Sequence, residues 1–188
     1  KGLQPHQGQP LAWHALSRLR AQQGAPIARL AVNANRHLEA YAALGVPVWP
    51  DALPGHPGPL AGFLAALEHC DTPWLLTVPC DAPLFPLDLA QRLAAAQQAS
   101  GADIAMAAAP DEEGRLRRQP VFCLLRASLR EDLAAFIAGG GRKVGAWTER
   151  HPTALAGFDR PGDDPQAFFN ANTLADLQTL ASSSPSDA

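Results

Sequence analysis

Asp81 stands three residues beyond a short apolar run, in Trp74-Leu75-Leu76-Thr77-Val78-Pro79-Cys80-Asp81. A run without polar alternation predicts a strand buried on both faces, as in a parallel sheet. Pro79 has no N–H to offer a ladder, so the strand is expected to end there. Asp81 then lies just past the strand's carboxyl end, the edge at which open α/β sheets bind ligands. A carboxylate at that place can hold Mg²⁺ against a phosphate chain. In isolation the same Asp reads first as a turn residue that caps the helix beginning near Pro86. Asn33 and Asn35, in Val32-Asn33-Ala34-Asn35-Arg36, close another apolar run. Two amides there can read a base edge or a ribose, or can build an Asx turn. Asp51 closes a third run, Val46–Trp49 followed by Pro50. The stretch from Pro54 to Gly62 is too rich in Pro and Gly for regular structure, and its glycines, Gly58 among them, permit close backbone approach to a ligand.

Strands and helices in alternation are needed to carry these residues, and the chain supplies them. Helices are predicted over Pro10–Gln23, Leu38–Leu44, Leu60–Cys70, Pro86–Ala99, Ser128–Ile137, Arg142–Arg150 and Leu174–Leu180. In the first, Leu11, Ala15, Leu16 and Leu19 share one face and Gly24 stops the helix. Gly62 in the third suggests a close packing contact. Ser128 and Glu131 have the spacing of a capping box, and Thr173 suits the cap of the last helix. Strands are predicted over Arg29–Val32, Val46–Trp49, Trp74–Val78, Ala102–Ala109, Gln119–Leu125 and Thr153–Ala156, with a polar turn over Pro110–Arg118. The alternation predicts an α/β fold: three layers, Rossmann-like, with a mostly parallel sheet and helices on both faces. A length of 188 residues suits one domain over 1–181, with a flexible tail over 182–188. In such a sheet Asn33, Asp51, Gly58 and Asp81 all follow strands and gather on one edge. Spacing alone therefore points to a phosphate- or nucleotide-binding domain.

Composition narrows the partners. Fifteen Lys and Arg against eighteen Asp and Glu give a net charge of −3 with no basic block, so a nucleic-acid surface is not expected. No apolar run reaches the ~18 residues of a membrane span. Cys70, Cys80 and Cys123 show neither C-x-x-C nor zinc spacing, and a sparse, odd count fits a reducing compartment, here the cytoplasm. There is no G-x-S-x-G, Walker A or G-x-G-x-x-G.

Lys1-Gly2-Leu3, Val32-Asn33-Ala34-Asn35-Arg36, Pro50-Asp51, Pro57-Gly58-Pro59-Leu60-Ala61-Gly62, Pro79-Cys80-Asp81-Ala82-Pro83 and Phe169-Asn170-Ala171-Asn172-Thr173 occur in that order. Each piece is short, but the ordered set resembles the molybdenum cofactor guanylyltransferase family, from Lys1 to about Leu180. The resemblance implies a nucleotidyltransferase that joins GMP to molybdopterin, with Mg²⁺ as cofactor. It implies that Lys1 contacts the nucleotide phosphates and that Asp81 is the Mg²⁺ ligand, the two forming the catalytic set. Asn33 and Asp51 would recognise the guanosine, with Gly58, Pro59 and Leu60 in a loop walling the guanine. Asn170 and Asn172 would lie at the pterin or the floor of the site, and Arg142 and Lys143 would meet the pterin phosphate. GTP and molybdopterin are the implied partners, with transient contacts to other molybdenum cofactor proteins.

The implied reaction is in-line attack of the terminal molybdopterin phosphate on the α-phosphorus of GTP, with pyrophosphate leaving. The protein's work is positioning and charge compensation. Mg²⁺ would bridge the phosphates as electrophile, and an already ionised phosphate needs no general base. The family's Gly-rich first loop, of the type L-A-G-G…R-M-G-G, is expected immediately before Lys1. One strand plus that loop corresponds to about 20–30 further residues upstream. That strand would lie beside the Asp81 strand, and without its loop amides GTP binding is expected to be poor. Other readings are a cytidylyltransferase or sugar-phosphate nucleotidyltransferase of the same fold, or a non-catalytic handover module. Asn33 to Arg36 and the Pro57–Gly62 loop favour guanine.

Overall fold

The computed structural model describes residues 1–51 and 58–171. The elements in chain order are β1 (Pro5–His6), β2 (Gln9–Pro10), α1 (Leu11–Arg20), β3 (Val32–Asn33), α2 (Leu38–Ala42), β4 (Val48–Trp49), α3 (Pro59–Glu68), β5 (Trp74–Thr77), α4 (Leu89–Ser100), β6 (Ile104–Pro110), β7 (Leu116–Arg126), a 3₁₀ turn (Ala127–Leu129), α5 (Arg130–Ala138), α6 (Val144–Thr148) and β8 (Thr153–Gly157). The expected helix at Leu174–Leu180, Asn172, the Thr173 cap and the 182–188 tail lie outside the described residues.

β6 organises the core. It is buried from Ile104 to Ala109, and its side chains alternate between two faces. Ile104 and Met106 join Phe63, Leu64 and Leu67 of α3, Leu133 and Ile137 of α5 and Trp147 of α6. Ala105, Ala107 and Ala109 join Ala15 of α1, Leu89 and Leu93 of α4 and the rings of Phe85, Phe122, Phe158 and Phe168. The small alanines leave room for those rings. Helices thus cover both faces, giving the three layers of an α/β fold.

The main sheet has the order β5-β7-β6-β8 and is mixed: β7 is antiparallel to both neighbours, and β6 is parallel to β8. The direction of β7 follows from its entry. Gly114, with φ +75°, closes a turn in which its N–H donates to the Asp111 carbonyl at 2.9 Å. So tight a turn can only join antiparallel strands. β7 begins at Leu116, inside the stretch expected to be turn. Ser128 does not form the expected capping box: it lies in the 3₁₀ turn, and among the described residues no side chain caps α5.

β3 and β4 form a separate parallel pair, with Val32 opposite Val48 and Asn33 opposite Trp49. Among the described residues β5 is an edge strand of its sheet. Segments Ala28–Asn33 and Trp74–Asp81 line one cleft of about 900 Å³. Its other walls include Ala12, Ala15, Leu16 and Leu19 of α1 and Pro59, Gly62, Phe63 and Ala66 of α3. The cleft adjoins β5. No helix among the described residues is long and apolar enough to cross a membrane.

Candidate active site

Asp81 sits in the turn after β5, where Pro79 has ended the ladder. Three parts of the chain meet there. The Lys1 ammonium stands 3.6 Å from the Asp81 carboxylate. The Asp81 backbone carbonyl accepts the Ala171 N–H at 2.7 Å, which brings the segment containing Asn170 to the same turn. Gly2 fits the close contact: a Cβ there would lie 2.8 Å from the Tyr41 hydroxyl and 3.0 Å from Cys80 Sγ. Burial, with the Asp81 charge beside it, pushes the Cys80 thiol up. It stays protonated near neutral pH and is no nucleophile. Burial also raises the Tyr41 hydroxyl.

Asn33 and Asp51 meet because β3 and β4 run parallel and end together. Asn33 Nδ2 donates to Asp51 Oδ1 and to the Trp49 carbonyl, both at 2.9 Å. Asn35 Nδ2 donates to Asp51 Oδ2 at 2.7 Å, and the Asp51 N–H donates to Asn35 Oδ1 at 2.7 Å. Asn33 Oδ1 lies against Gly62 of α3, where a Cβ would stand only 2.7 Å away. Gly58 caps α3 with φ +134°, a conformation that suits glycine, and Pro59 takes the first helical turn. Leu60 turns inward and is buried in the core, so it does not wall the guanine as expected.

Lys1, Asn33, Gly58, Pro59, Asp81 and Asn170 all line the one cleft. Asp51 meets the cleft only through its bond to Asn33, and Leu60, Arg142 and Lys143 do not line it. Arg142 Nη1 donates to the carbonyls of Ile137 at 3.1 Å and Gly141 at 2.7 Å, closing the end of α5, and Lys143 precedes α6. Asn172 lies outside the described residues. Among the described residues no group of three or more His, Cys, Asp or Glu side chains could hold a metal. A lone hard carboxylate still fits Mg²⁺, which is commonly bound through one or two carboxylates plus substrate phosphates and water.

Sequence reasoning did not single out Gly2, Tyr41 or Trp49. Trp49 stacks on His69 at 4.6 Å, and both line the cleft. The signal for Gly2 was its place beside Lys1; Tyr41 and His69 carry none.

The sequence matches the MobA-like NTP transferase domain over residues 1–154. The chain belongs to that family. Among its relatives, the molybdenum cofactor guanylyltransferase of Acidovorax ebreus (strain TPSY) is 60% identical, over 96% of this chain and 86% of the relative. That of Bordetella pertussis is 53% identical, over 97% of this chain and 88% of the relative. The fold is shared with molybdopterin-guanine dinucleotide biosynthesis protein A from Archaeoglobus fulgidus, with a TM-score of 0.73 and 19% identity over 95% of this chain and 87% of that one. It is also shared with 2-C-methyl-D-erythritol 4-phosphate cytidylyltransferase from Thermus thermophilus, with a TM-score of 0.71 and 21% identity over 97% and 94%. The likeness to MobA-like and cytidylyl-transferring proteins alike establishes a nucleotidyltransferase fold, and the family makes the chain a nucleotidyltransferase.

Proposed function

We propose that this nucleotidyltransferase moves GMP from GTP to the terminal phosphate of molybdopterin, releasing pyrophosphate. The observation that carries the reading is the identity of 50–60% to molybdenum cofactor guanylyltransferases over nearly the whole chain. The convergence of Lys1, Asp81 and the Asn170 segment on one turn supports it. A phosphate oxygen of molybdopterin forms a bond to the α-phosphorus, and the bond from that phosphorus to the α,β-bridging oxygen breaks. The chain's own part is to orient both phosphates and to offset their charge. Asp81 would hold Mg²⁺, which supplies Lewis-acid stabilisation of phosphate charge. Lys1 places a cation beside the same carboxylate. Asn33, Asn35 and Asp51 form a hydrogen-bonded polar edge that binds guanine, with Gly58 and Pro59 as its neighbouring wall. Asn170 faces the pterin side, with Asn172 as the next member of its motif. Arg142 and Lys143 stand apart from the cleft and enter only if the pterin extends towards α6. We place the reaction in the cytoplasm; the free thiols of Cys70, Cys80 and Cys123 are compatible with that.

The test is transfer from each of GTP, CTP and ATP to molybdopterin with Mg²⁺, followed by product mass and pyrophosphate release. Guanine dinucleotide formation from GTP alone is expected. Equal or faster use of CTP would make the enzyme a cytidylyltransferase, and nucleotide binding without pyrophosphate release would make it a handover module.

A further inference from the structure

Arg92, in α4, has a buried guanidinium, 8% exposed. Its Nη1 and Nη2 donate to Asp163 Oδ1 and Oδ2 at 2.8 and 2.9 Å, a two-pronged fit. Nη2 also donates to the Gly157 carbonyl, and Asp88 lies 3.6 Å away. The guanidinium carbon stands 3.9 Å from the centre of the Phe158 ring. Asp163 accepts in addition the Arg160 N–H at 2.9 Å, so the one pair closes the whole turn from Gly157 to Asp163. Among the described residues Nε is buried with no hydrogen-bond partner.

Residues 158–171 contain neither helix nor strand, so their path depends on anchors. The Phe158 N–H donates to the Ala108 carbonyl of β6 at 2.8 Å. Its ring packs edge-on against Phe168 at 5.0 Å, and Phe168 against Phe122 of β7 at 4.9 Å. Phe168 is two residues from Asn170 in the cleft and three from Ala171, whose N–H is held by Asp81. A buried ion pair is a poor source of net stability, because desolvation offsets its attraction. An apolar residue in α4 would fill the space as well. What the planar fork adds is a fixed position for its partner.

We infer that Arg92 is a positioning residue for nucleotidyl transfer: through Asp163 and the Phe158–Phe168 contact it sets where Asn170 and Ala171 meet Asp81. The inference rests on the proposed function only in assigning Asn170 to the pterin side.

Two variants test it. Arg92→Lys keeps the charge and loses the fork; Asp163→Asn keeps the shape and loses the charge. Hydrogen exchange at the Ala171 amide is expected to quicken about tenfold, with the amides of β6 unchanged. In transfer assays KM for molybdopterin is expected to rise about tenfold and KM for GTP by less than about twofold. Unchanged Ala171 exchange overturns the inference, and so does an equal quickening in β6, or a parallel rise in both KM values. If either variant does not fold, Arg92→Met combined with Asp163→Leu removes both charges together and takes the same two measurements. Asn170→Ala is assayed alongside. No transfer by the wild type refutes the proposed function, and normal transfer by Asn170→Ala removes Asn170 from the pterin side, while the exchange at Ala171 still decides the anchoring role.

Discussion

The Asn33 side-chain amide donates to the Asp51 carboxylate across the ends of two parallel strands, at 2.9 Å. Asn35 engages the other oxygen of the same carboxylate at 2.7 Å. A carboxylate has about four lone-pair sites, so acceptor capacity is left over. Guanine offers N1–H and 2-amino donors. Asp51→Ala removes the acceptor and releases both amides. Preference for GTP over CTP is expected to fall by at least about a hundredfold, because sites built on hydrogen bonds discriminate strongly. Stability should fall by only about 1 kcal/mol, since water replaces the lost partners. Competition between the two nucleotides checks the first expectation and urea unfolding the second.

Gly62 separates function from stability. Gly→Ala in a helix interior favours folding by about 1 kcal/mol. Here the new Cβ would stand 2.7 Å from Asn33 Oδ1, the tip of a side chain that can swing. Gly62→Ala is expected to unfold within about 1 kcal/mol of the wild type and to lose GTP affinity about tenfold as Asn33 leaves Asp51. Unchanged GTP affinity would show that the position of Asn33 does not matter.

Much of this was legible in the sequence because it depends on local signals. The apolar run of β5 and the stop at Pro79 place Asp81 at a strand end, and two more strand ends place Asn33 and Asp51. The direction of β7 was less legible. Its first residues, Leu116 to Arg118, are exposed and polar enough to look like the rest of the Asp111 turn. Ser128 had the right spacing for a cap, but the 3₁₀ turn displaced the helix start. Arg92 sits in an Ala-rich helix and looks like a surface residue. Its burial is explained chiefly by Asp163, seventy-one residues away in sequence, with the Gly157 carbonyl and the Phe158 ring beside it.

Asp163 also predicts a pH dependence. The Arg92 hydrogen bonds hold its carboxyl below the ordinary aspartate range, with the Arg160 N–H adding to the effect. A carboxyl depressed on folding adds stability that is present above its unfolded value and is lost as pH falls through the folded value. Asp163→Asn removes that contribution. The stability gap between wild type and variant is therefore expected to be widest near about pH 7 and to narrow below about pH 4. Urea unfolding across that range checks it, and a gap independent of pH would deny the pair any electrostatic share.

Asp81 and Lys1 form the last pair to test, and they should fail differently. Asp81 lies on the cleft wall, so Asp81→Ala leaves the fold close to the wild type. If Asp81 holds Mg²⁺ on the phosphates, its loss costs roughly several kcal/mol of transition-state stabilisation. GMP transfer by Asp81→Ala should then be nearly absent, and added Mg²⁺ should not restore it. Lys1 is more than half exposed, and it faces Asp81 at 3.6 Å rather than in a tight pair. A lysine is a point charge without the geometry of a fork, so Lys1→Ala should weaken phosphate binding more than it disturbs the metal. Its KM for GTP should rise while the Mg²⁺ concentration for half-maximal rate stays near that of the wild type. Lys1→Arg keeps the charge and should recover most of the loss. Steady-state transfer with Mg²⁺ and GTP titrated separately distinguishes the two residues. Near-normal transfer by Asp81→Ala would remove Asp81 from the metal role, and a Lys1→Ala defect cured by Mg²⁺ alone would make Lys1 a partner of the carboxylate instead of the phosphates.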